Sequence, residues 1–382
     1  MGIHWFIFLA FLIAYLQGKL FKRWGLSKIA YHRQFSVKSC YAGEELEMVE
    51  RIVNRKPLPL PWLRLEALFD ASLAFVSQRQ LEISGSETMQ NHKSLFSLLP
   101  YGQVVRRHKI VARKRGCYRM ETVSMTCGDM LGLHKTATKV QMGAELIVYP
   151  KPVPFEEIPL PSHSWQGDIT VRRWIMEDPF MIQGVRDYRY GDTMNMINWK
   201  ATARSSRLQV QQRDFTADHR LMIYVNFDVT ETMWNAITDP ELVERGIAYA
   251  ASIAENAVSQ GIPTGFGCNG SLIDAPKQPV RVAAQSGPTH LTDLFETMAK
   301  LIMVRSDSIG QFLEQDVNSG VSNMDIIVIT AFVSDEMQGL IDRLRLQGNA
   351  VEIVPLTQEK AHDELSPANG QTDKEGMDTW AS

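Results

Sequence analysis

The chain has 382 residues, of which 45% are hydrophobic and 22% are charged, a composition typical of a folded protein long enough for two domains. The formal net charge of −3 excludes the strongly basic character of nucleic-acid-binding proteins, so no nucleic-acid partner is expected. The four cysteines form no C-x-x-C pair and have no histidines at zinc spacing, which excludes a disulfide framework and a zinc knuckle.

The N-terminal segment is typical of a membrane anchor. The run from Ile3 to Leu16 contains no Asp, Glu, Lys or Arg. A spanning helix needs about 20 apolar residues, and flanking residues with snorkelling lysines supply the missing length. We therefore predict a retained transmembrane helix over residues 1–25. A cleaved signal peptide would carry its positive charge before the apolar run, and an interfacial helix would confine its apolar residues to one face.

The orientation of this anchor follows from the basic residues that come directly after it. Lys19, Lys22, Arg23 and Lys28 all lie on the C-terminal side of the apolar run. Because cytoplasmic flanks carry the excess of Lys and Arg, we expect a single-pass protein of the cell membrane with its soluble domains in the cytoplasm.

Residues 30–150 alternate between apolar and polar positions in short runs. The stretches "ELEMVERIV" and "VVRRHKIVA" are examples, and Gly, Pro, Asn and Asp separate such runs. A period of two predicts strands, and many short strands predict an all-β, immunoglobulin-like sandwich. Within this domain, we predict a tight turn flanked by solvated charges at Arg113 to Gly116, in preference to a basic binding patch.

Residues 151–220 are predicted to be a linker that also contains a dense polar segment. The stretch "VYPKPVPFEEIPLP" has the proline content of an extended, semi-rigid connection, which marks a domain boundary. At the other end of the chain, residues 357–382 are polar and acidic and are predicted to be disordered.

Residues 221–356 have the pattern of an α/β domain. The apolar run from Leu221 to Asp228 is typical of a strand buried on both faces. A helix follows, with Asp239 as its N-cap, Pro240 at its first position and Gly261 as its stop. Further strands alternate with helices, one of them predicted in "THLTDLFETMAKLIM", so the sheet should be mostly parallel.

The loop after the first strand of this domain has the spacing D-x-T-x-T. Asp228, Thr230 and Thr232 offer one carboxylate and two hydroxyls, which as hard oxygen ligands suit Mg²⁺ or Mn²⁺. The motif resembles the D-x-S-x-S metal-adhesion motif of von Willebrand factor type A domains, whose order of strands and helices is similar. That family's later acidic turn is absent, since Ala331 and Phe332 stand there. A second interpretation stays open, in which these side chains only cap the turn and the next element.

The segment "RDYRYGDTMNMINW" and its continuation to Arg204 concentrate charged and aromatic residues. Gly191 indicates a turn, Asp192 a cap, and Ile197 and Trp199 buried anchors, while arginine–carboxylate pairs would tie the segment to the sheet. We prefer this structural interpretation to a catalytic or phosphate-binding one. The signature residues are Arg186, Tyr188, Gly191, Asp192, Ile197, Trp199 and Arg204.

The signature is similar to that of the bacterial family called domain of unknown function 58. The stretches "RKRGCYRMETVSMTCGDMLGL" and "LIVYPKPVP", the N-terminal anchor and the von Willebrand A-like region are also similar to that family, so the resemblance covers nearly the whole chain. It implies a membrane-anchored partner of a MoxR-type AAA+ ATPase, commonly accompanied by a transglutaminase-like membrane protein. It implies no established activity.

Two classes of function stay open. The first is a membrane-tethered protein-interaction module that works with the ATPase in assembly or maturation of a protein complex or the cell envelope. The second is a metal-dependent hydrolytic or transfer enzyme that uses Asp228 and the segment from Arg186 to Arg204. The sequence contains no P-loop, no G-x-S-x-G and no H-E-x-x-H motif, which favours the first class.

Overall fold

The computed structural model describes residues 2–76, 81–86, 88–160, 182–188, 197–205, 207–213, 220–231 and 237–357. The chain begins with helix α1 (Gly2–Trp24), most of whose apolar side chains are exposed, including Trp5 and Phe11. Within the described ranges, α1 is long and apolar enough from His4 to Trp24 to cross a membrane. The predicted N-terminal apolar helix is therefore confirmed, and its length and composition fit either a membrane span or a signal sequence.

A region of strands follows, as the period-two pattern predicts, and it is called the sandwich region (residues 29–149) below. Its strands are β1 (Ile29–Phe35), β2 (Ser39–Tyr41), β3 (Glu45–Asn54), β4 (Leu60–Asp70), β5 (Leu73–Phe75), β6 (Leu81–Gly85), β7 (Met89–Leu98), β8 (Gln103–Ala112), β9 (Gly116–Gly128) and β10 (Lys135–Tyr149). They form two sheets, in the orders β1-β3-β8-β5 and β2-β10-β9-β4-β7-β6. Buried side chains from both sheets, such as Ile52 and Leu146, share one hydrophobic core.

The described residues on either side of the dense polar segment form a small unit, called the signature unit below (described residues within 182–213). Its elements are β11 (Ile182–Asp187), helix α2 (Trp199–Ser205) and β12 (Gln209–Arg213). Strands β11 and β12 pair in antiparallel fashion.

The C-terminal part is an α/β region (residues 220–357) built on a mixed sheet. Its elements are β13 (Arg220–Val225), α3 (Pro240–Ser259), β14 (Thr264–Cys268), β15 (Gly270–Leu272), β16 (Val280–Gln285), α4 (Pro288–Ala299), β17 (Leu301–Arg305), α5 (Ile309–Ser319), β18 (Met324–Thr330), α6 (Asp335–Leu346) and β19 (Ala350–Pro355). The strand order is β16-β14-β13-β18-β19, and β16 is antiparallel to β14 whereas the other neighbours are parallel. The prediction of a mostly parallel sheet is confirmed.

Local signals for helix α3 are also confirmed. The Asp239 side chain accepts a hydrogen bond from the Leu242 amide at 3.1 Å, and Pro240 opens the helix. Gly261, directly after the C-cap, has φ +80°, a conformation that glycine adopts without strain. The first strand, however, ends at Val225, so Asp228 lies in the loop beyond it.

The structure of this region differs from the sequence-based expectation at two further places. The helix expected to run to Met303 ends at Ala299, because Leu301–Arg305 pairs instead with β15 as strand β17. Helix α5 was not predicted, although Ser308 and Gln311 form a capping box and Gly320 ends the helix in the left-handed conformation.

Residues 151–160, in the proline-rich stretch, pack against the α/β region. Ile158 is buried in the core formed with α3, and the Val153 amide donates to Ser252 Oγ at 2.8 Å. The same hydroxyl donates back to the Val153 carbonyl at 2.9 Å. These residues are therefore attached to α3 along their length rather than spanning free space between domains.

The sandwich region joins the α/β region through Arg115. Its guanidinium donates to Glu244 at 2.7 Å, to the Met298 carbonyl at 2.7 Å and to the Leu301 carbonyl at 3.0 Å. The prediction of solvated charges at this turn is wrong for Arg115, whose side chain is buried. The physical reason is that carbonyls at the C-terminal end of α4 lack partners within the helix, and Arg115 supplies donors and a positive charge there.

Helix α1 and the α/β region contact opposite ends of the sandwich region. Strand β9 runs from the end that contacts α4 to the end near α1, and its length corresponds to about 40 Å. The sandwich region therefore separates the end of α1 from the α/β region.

Candidate functional site

The carboxyl edge of the parallel sheet is the first candidate site. From β13 the chain continues to β14 on one side and later returns as β18 on the other, so the strand order reverses at β13. Ligands of open α/β sheets bind in the crevice that such a reversal opens. Asp228 lies in the loop at this crevice, three residues after the last residue of β13.

The crevice between β13 and β18 is closed by hydrogen bonds of the protein itself. The buried Asn226 side chain donates to Thr330 Oγ1 at 3.0 Å, and its Oδ1 accepts from the Asp228 amide at 2.9 Å. On the other side of β13, Asn269 Oδ1 accepts from the Phe227 amide at 2.7 Å. These two asparagines satisfy the backbone of the loop and hold it against both neighbouring strands.

The Asp228 carboxylate is held by donors from a distant part of the chain. Its Oδ2 accepts from the Ile309 amide, the first residue of α5, at 3.0 Å, and its Oδ1 lies 3.2 Å from Arg305 Nε. Burial raises the pKa of Asp228, whereas the Ile309 amide and the Arg305 charge oppose that increase. The geometry is that of a carboxylate capping a helix N-terminus, where negative charge is stabilising.

The surroundings of Asp228 do not favour a magnesium or manganese ion. Its Oδ2 accepts from the Ile309 amide, and a cation at Oδ1, which has no hydrogen-bond partner among the described residues, would meet the positive charge of Arg305. Thr230 is exposed, and Thr232 lies outside the described residues. Among the residues that the structure describes, no group of three or more His, Cys, Asp or Glu could hold a metal ion.

The signature unit is the second candidate site, and hydrogen bonds fix its elements to one another. Ile197 forms an antiparallel bridge with Val210, and both side chains are buried. Asn198 then begins helix α2, since its Oδ1 accepts from the Ala201 amide at 3.0 Å while its own amide donates to the Gln209 carbonyl at 2.8 Å. The Thr202 hydroxyl completes the attachment by accepting from the Gln209 amide at 3.0 Å.

Trp199 is the residue that the structure places differently from the prediction. It was expected to be a buried anchor, but 65% of its surface is exposed. The prediction was wrong because Ile197 fills the inward position against β12, and the helix that starts at Trp199 turns the indole to solvent. Of the remaining signature residues, Arg204 is exposed, while Gly191 and Asp192 lie outside the described residues.

The arginine–carboxylate pairs predicted for this unit involve residues outside the described ones, such as Asp192 and Asp214, so they stay a prediction. Arg186 Nη1 donates to the Asp187 carbonyl at 3.2 Å, the Asp187 side chain accepts from Gln209, and Tyr188 pairs through its amide with the Leu208 carbonyl at 2.9 Å. Within the described part of the signature unit, Lys200 and Arg204 have no ion pair. The unit thus presents an indole beside unpaired positive charges.

Several residues at these two sites were missed by sequence reasoning. Asn226, Asn269 and Arg305 determine the surroundings of Asp228, and they come from different loops. Only the helix that Asp228 caps had a local signal, the capping box at Ser308.

Comparison with known proteins gives relatives of unassigned role. The chain is 20% identical over 371 residues to the uncharacterized protein YeaD of Bacillus subtilis (strain 168), which covers 96% of this chain and 85% of that protein.

Two solved structures that resemble part of the chain have TM-scores too low to support a conclusion. A cohesin from Archaeoglobus fulgidus has 11% identity and a TM-score of 0.22, covering 33% of this chain and 94% of that one. The PapD-like domain 7 of human CEP192 has 15% identity and a TM-score of 0.20, covering 32% and 87%.

The model of a protein family matches residues 184–379, which include all but the first two residues of the signature unit and the whole α/β region. This match covers just over half of the 382 residues. The chain therefore belongs to the family described as proteins of unknown function DUF58.

Proposed function

We propose that this protein is a membrane-anchored interaction module that binds a protein partner through helix α2. The observation that carries the proposal is the 65% exposure of Trp199 on a helix that also presents Lys200 and Arg204. Tryptophan and arginine are enriched among the residues that contribute most to protein–protein binding. When a partner covers an exposed indole, apolar surface is removed from water, which makes the free energy of binding more favourable.

Charge complementarity defines the kind of partner. Lys200 and Arg204 lie four residues apart on α2, and Arg207 follows the helix on the same exposed segment. A partner that offers an apolar pocket for Trp199 with carboxylates at its rim would match this surface. Such rim charges chiefly raise the association rate and the specificity of binding.

The anchor and the sandwich region support this role by holding the α/β region away from the bilayer. With α1 in the membrane, the length of β9 separates the α/β region from the lipid by about 40 Å. The basic residues after the apolar run of α1 favour a cytoplasmic position for these parts. A soluble partner would then have free access to them.

The finer assignments rest on the family resemblance. We propose an immunoglobulin-like sandwich domain over residues 30–150 and a von Willebrand A-like domain over residues 221–356, supported in the latter by the alternation of strands and helices around β13. As partner we propose a MoxR-type AAA+ ATPase, with a transglutaminase-like membrane protein in the same assembly. The enzymatic alternative has no support at Asp228, whose carboxylate is engaged by Arg305 and the Ile309 amide.

The test is binding of a purified MoxR-type ATPase from the same organism to the full-length protein in detergent. Trp199→Ala should weaken binding at least tenfold, which corresponds to about 1.4 kcal/mol. Arg204→Glu should weaken it with a larger effect at low salt, because rim charges are screened by ions. Leu346→Ala, at an exposed leucine of α6, is the matched control and should bind like the parent.

Stability measurements separate this role from a structural one. Because Trp199 is exposed, Trp199→Ala should change the free energy of unfolding by no more than about 0.5 kcal/mol. A variant that binds the ATPase as tightly as the parent would overturn the proposed surface. A variant that loses binding only because it unfolds would return Trp199 to the structural role.

A further inference from the structure

We propose that the loop between β9 and β10 inserts into the membrane that α1 crosses, and that it forms a membrane-docking face together with the turn between β7 and β8. This face consists of residues 99–101 and 130–133. The inference rests on the part of the proposed function that makes α1 a retained anchor. Its partner is the lipid bilayer itself, at the boundary between head groups and acyl chains.

Helix α1 and the sandwich region are joined rigidly. The buried Lys56 ammonium donates to the carbonyls of Gly25 and Ser27, the latter at 2.9 Å. Phe21 is buried at the junction, and the Gly25 backbone lies so close to Cys127 that an added Cβ would be 2.7 Å from its sulfur. The position of α1 in a bilayer therefore determines the position of the sandwich region.

The β9–β10 loop reaches along α1 toward the membrane. The His134 ring packs on Gly18, where an added Cβ would lie 2.7 Å from Nδ1. Gly18 precedes Trp24, the last residue of α1, by six residues, or about 9 Å along the helix axis. It lies between the uncharged run from Ile3 to Leu16 and the first basic residue, Lys19, so the loop contacts α1 at the level expected for the boundary between acyl chains and head groups.

The composition and shape of the β9–β10 loop favour contact with an apolar phase. Met130, Leu131 and Leu133 are each between 58% and 66% exposed. Single exposed apolar side chains are ordinary, but three on one loop mark a surface that another apolar phase covers. The loop is preorganised, because the Asp129 amide donates to the His134 carbonyl at 3.1 Å and the Gly132 amide donates to the Asp129 carbonyl at 3.2 Å.

The β7–β8 turn lies at the same end of the sandwich region and has the same character. Leu99 and Tyr101 are 76% and 69% exposed. Asn54 Nδ2 donates to the Leu99 carbonyl at 3.0 Å, and the Tyr101 amide donates to the carbonyl of Lys56, the residue that binds the end of α1. Tyrosine is enriched where membrane meets water, since its ring is apolar and its hydroxyl is polar.

The surrounding charges fit a membrane surface as well. Exposed cations, namely Lys19, Lys22, Arg23 and Lys28, lie at the end of α1 and just after it. Cations beside exposed apolar side chains favour the interface of a bilayer that contains anionic lipid. The docking face would thus give the sandwich region a second attachment to the bilayer beside α1 and so restrict the tilt of the two as one unit.

The test is site-specific fluorescence of the full-length protein in nanodiscs of phosphatidylcholine and phosphatidylglycerol. A polarity-sensitive probe would be attached through Leu131→Cys, with Leu346→Cys on α6 as the matched exposed leucine and Leu9→Cys as the reporter of α1. Cys117→Ser would remove the partly exposed native thiol from all three, since the other cysteines are buried. Leu133→Cys repeats the measurement at a second loop position.

We expect the probes at positions 131, 133 and 9 to be quenched by spin-labelled lipid and to be several-fold less accessible to iodide than the probe at position 346. If the loop probes are as accessible to iodide as that at 346 while the probe at 9 is quenched by lipid, the inference is overturned and the anchor stands. If the probe at 9 is also accessible to iodide, the anchor fails and the inference fails with it.

Discussion

Acid should destabilise the sandwich region through His92. This histidine lies on β7 and is 2% exposed, and neither ring nitrogen has a hydrogen-bond partner in the part of the chain that the structure describes. Its ring packs against Phe69 and Phe75, with centroid distances of 4.6 and 4.0 Å. Burial, followed by the charge of Arg33, lowers the pKa of His92 from 6.5 to about 4.

The sign and size of the effect follow from this lowered pKa. Between pH 6.5 and about 4 the unfolded chain binds a proton that the folded chain does not, so the free energy of unfolding falls as the pH falls. Each pH unit in that interval is worth about 1.4 kcal/mol, which gives a loss on the order of 3 kcal/mol for the sandwich region. The substitution His92→Leu should remove this loss, because leucine has no proton to bind.

The stabilising contribution of the neighbouring Glu50 is lost mainly below this interval. Burial raises its pKa, but the hydrogen bond from His108 and the charge of Arg33 outweigh that effect and hold the pKa at about 2. A carboxylate with a depressed pKa contributes stability above its unfolded value of about 4.5, and this stability is lost as the pH falls through about 2. The loss caused by Glu50 is therefore separable from that caused by His92.

The measurement is hydrogen exchange of β7 and β8 peptides in the full-length protein, corrected for the intrinsic pH dependence of exchange. The difference in opening free energy between His92→Leu and the parent should grow in favour of the variant by on the order of 3 kcal/mol from pH 7 to pH 4. His32→Leu makes the same change at an exposed histidine of β1 and should follow the parent. Parallel acid profiles for His92→Leu and the parent would refute the reasoning.

Two further predictions concern the α/β region and its contact with the sandwich region. Asn226→Ala should lower the free energy of unfolding in urea by about 1–3 kcal/mol, because it leaves the Asp228 amide without its acceptor. Asn318→Ala, at an exposed position of α5, should lower it much less, and equal losses would contradict the role of Asn226. Arg115→Met should increase hydrogen exchange at the C-terminal end of α4, whereas Arg113→Met, at an exposed position, should not. Unchanged protection in Arg115→Met would show that this contact does not stabilise the end of α4.

Local patterns were sufficient wherever the determining residues lie within a few positions of one another. Helix α3 was predicted from Asp239, Pro240 and Gly261, and the structure confirms all three roles. The capping box at Ser308 would have found α5 by the same reasoning. In contrast, the helix predicted to continue to Met303 ends at Ala299, since pairing of β17 with β15 is a contact that no local propensity reports.

The family, the apolar N-terminal helix, the strand-rich first half and the alternating second half were determined by the sequence alone, because periodicity and spacing are properties of neighbouring residues. Only the tertiary structure decided which of the polar and aromatic side chains are exposed and which are buried or paired. Arg115 looked solvated and is buried against α4, while Trp199 looked buried and is exposed. For Asp228 the sequence left a metal ligand and a cap open, and in the structure its carboxylate accepts from the first amide of a helix that begins about 80 residues later. The partners of Arg115 and Asp228 lie far away in the chain, so burial and charge pairing depend on folding rather than on local sequence.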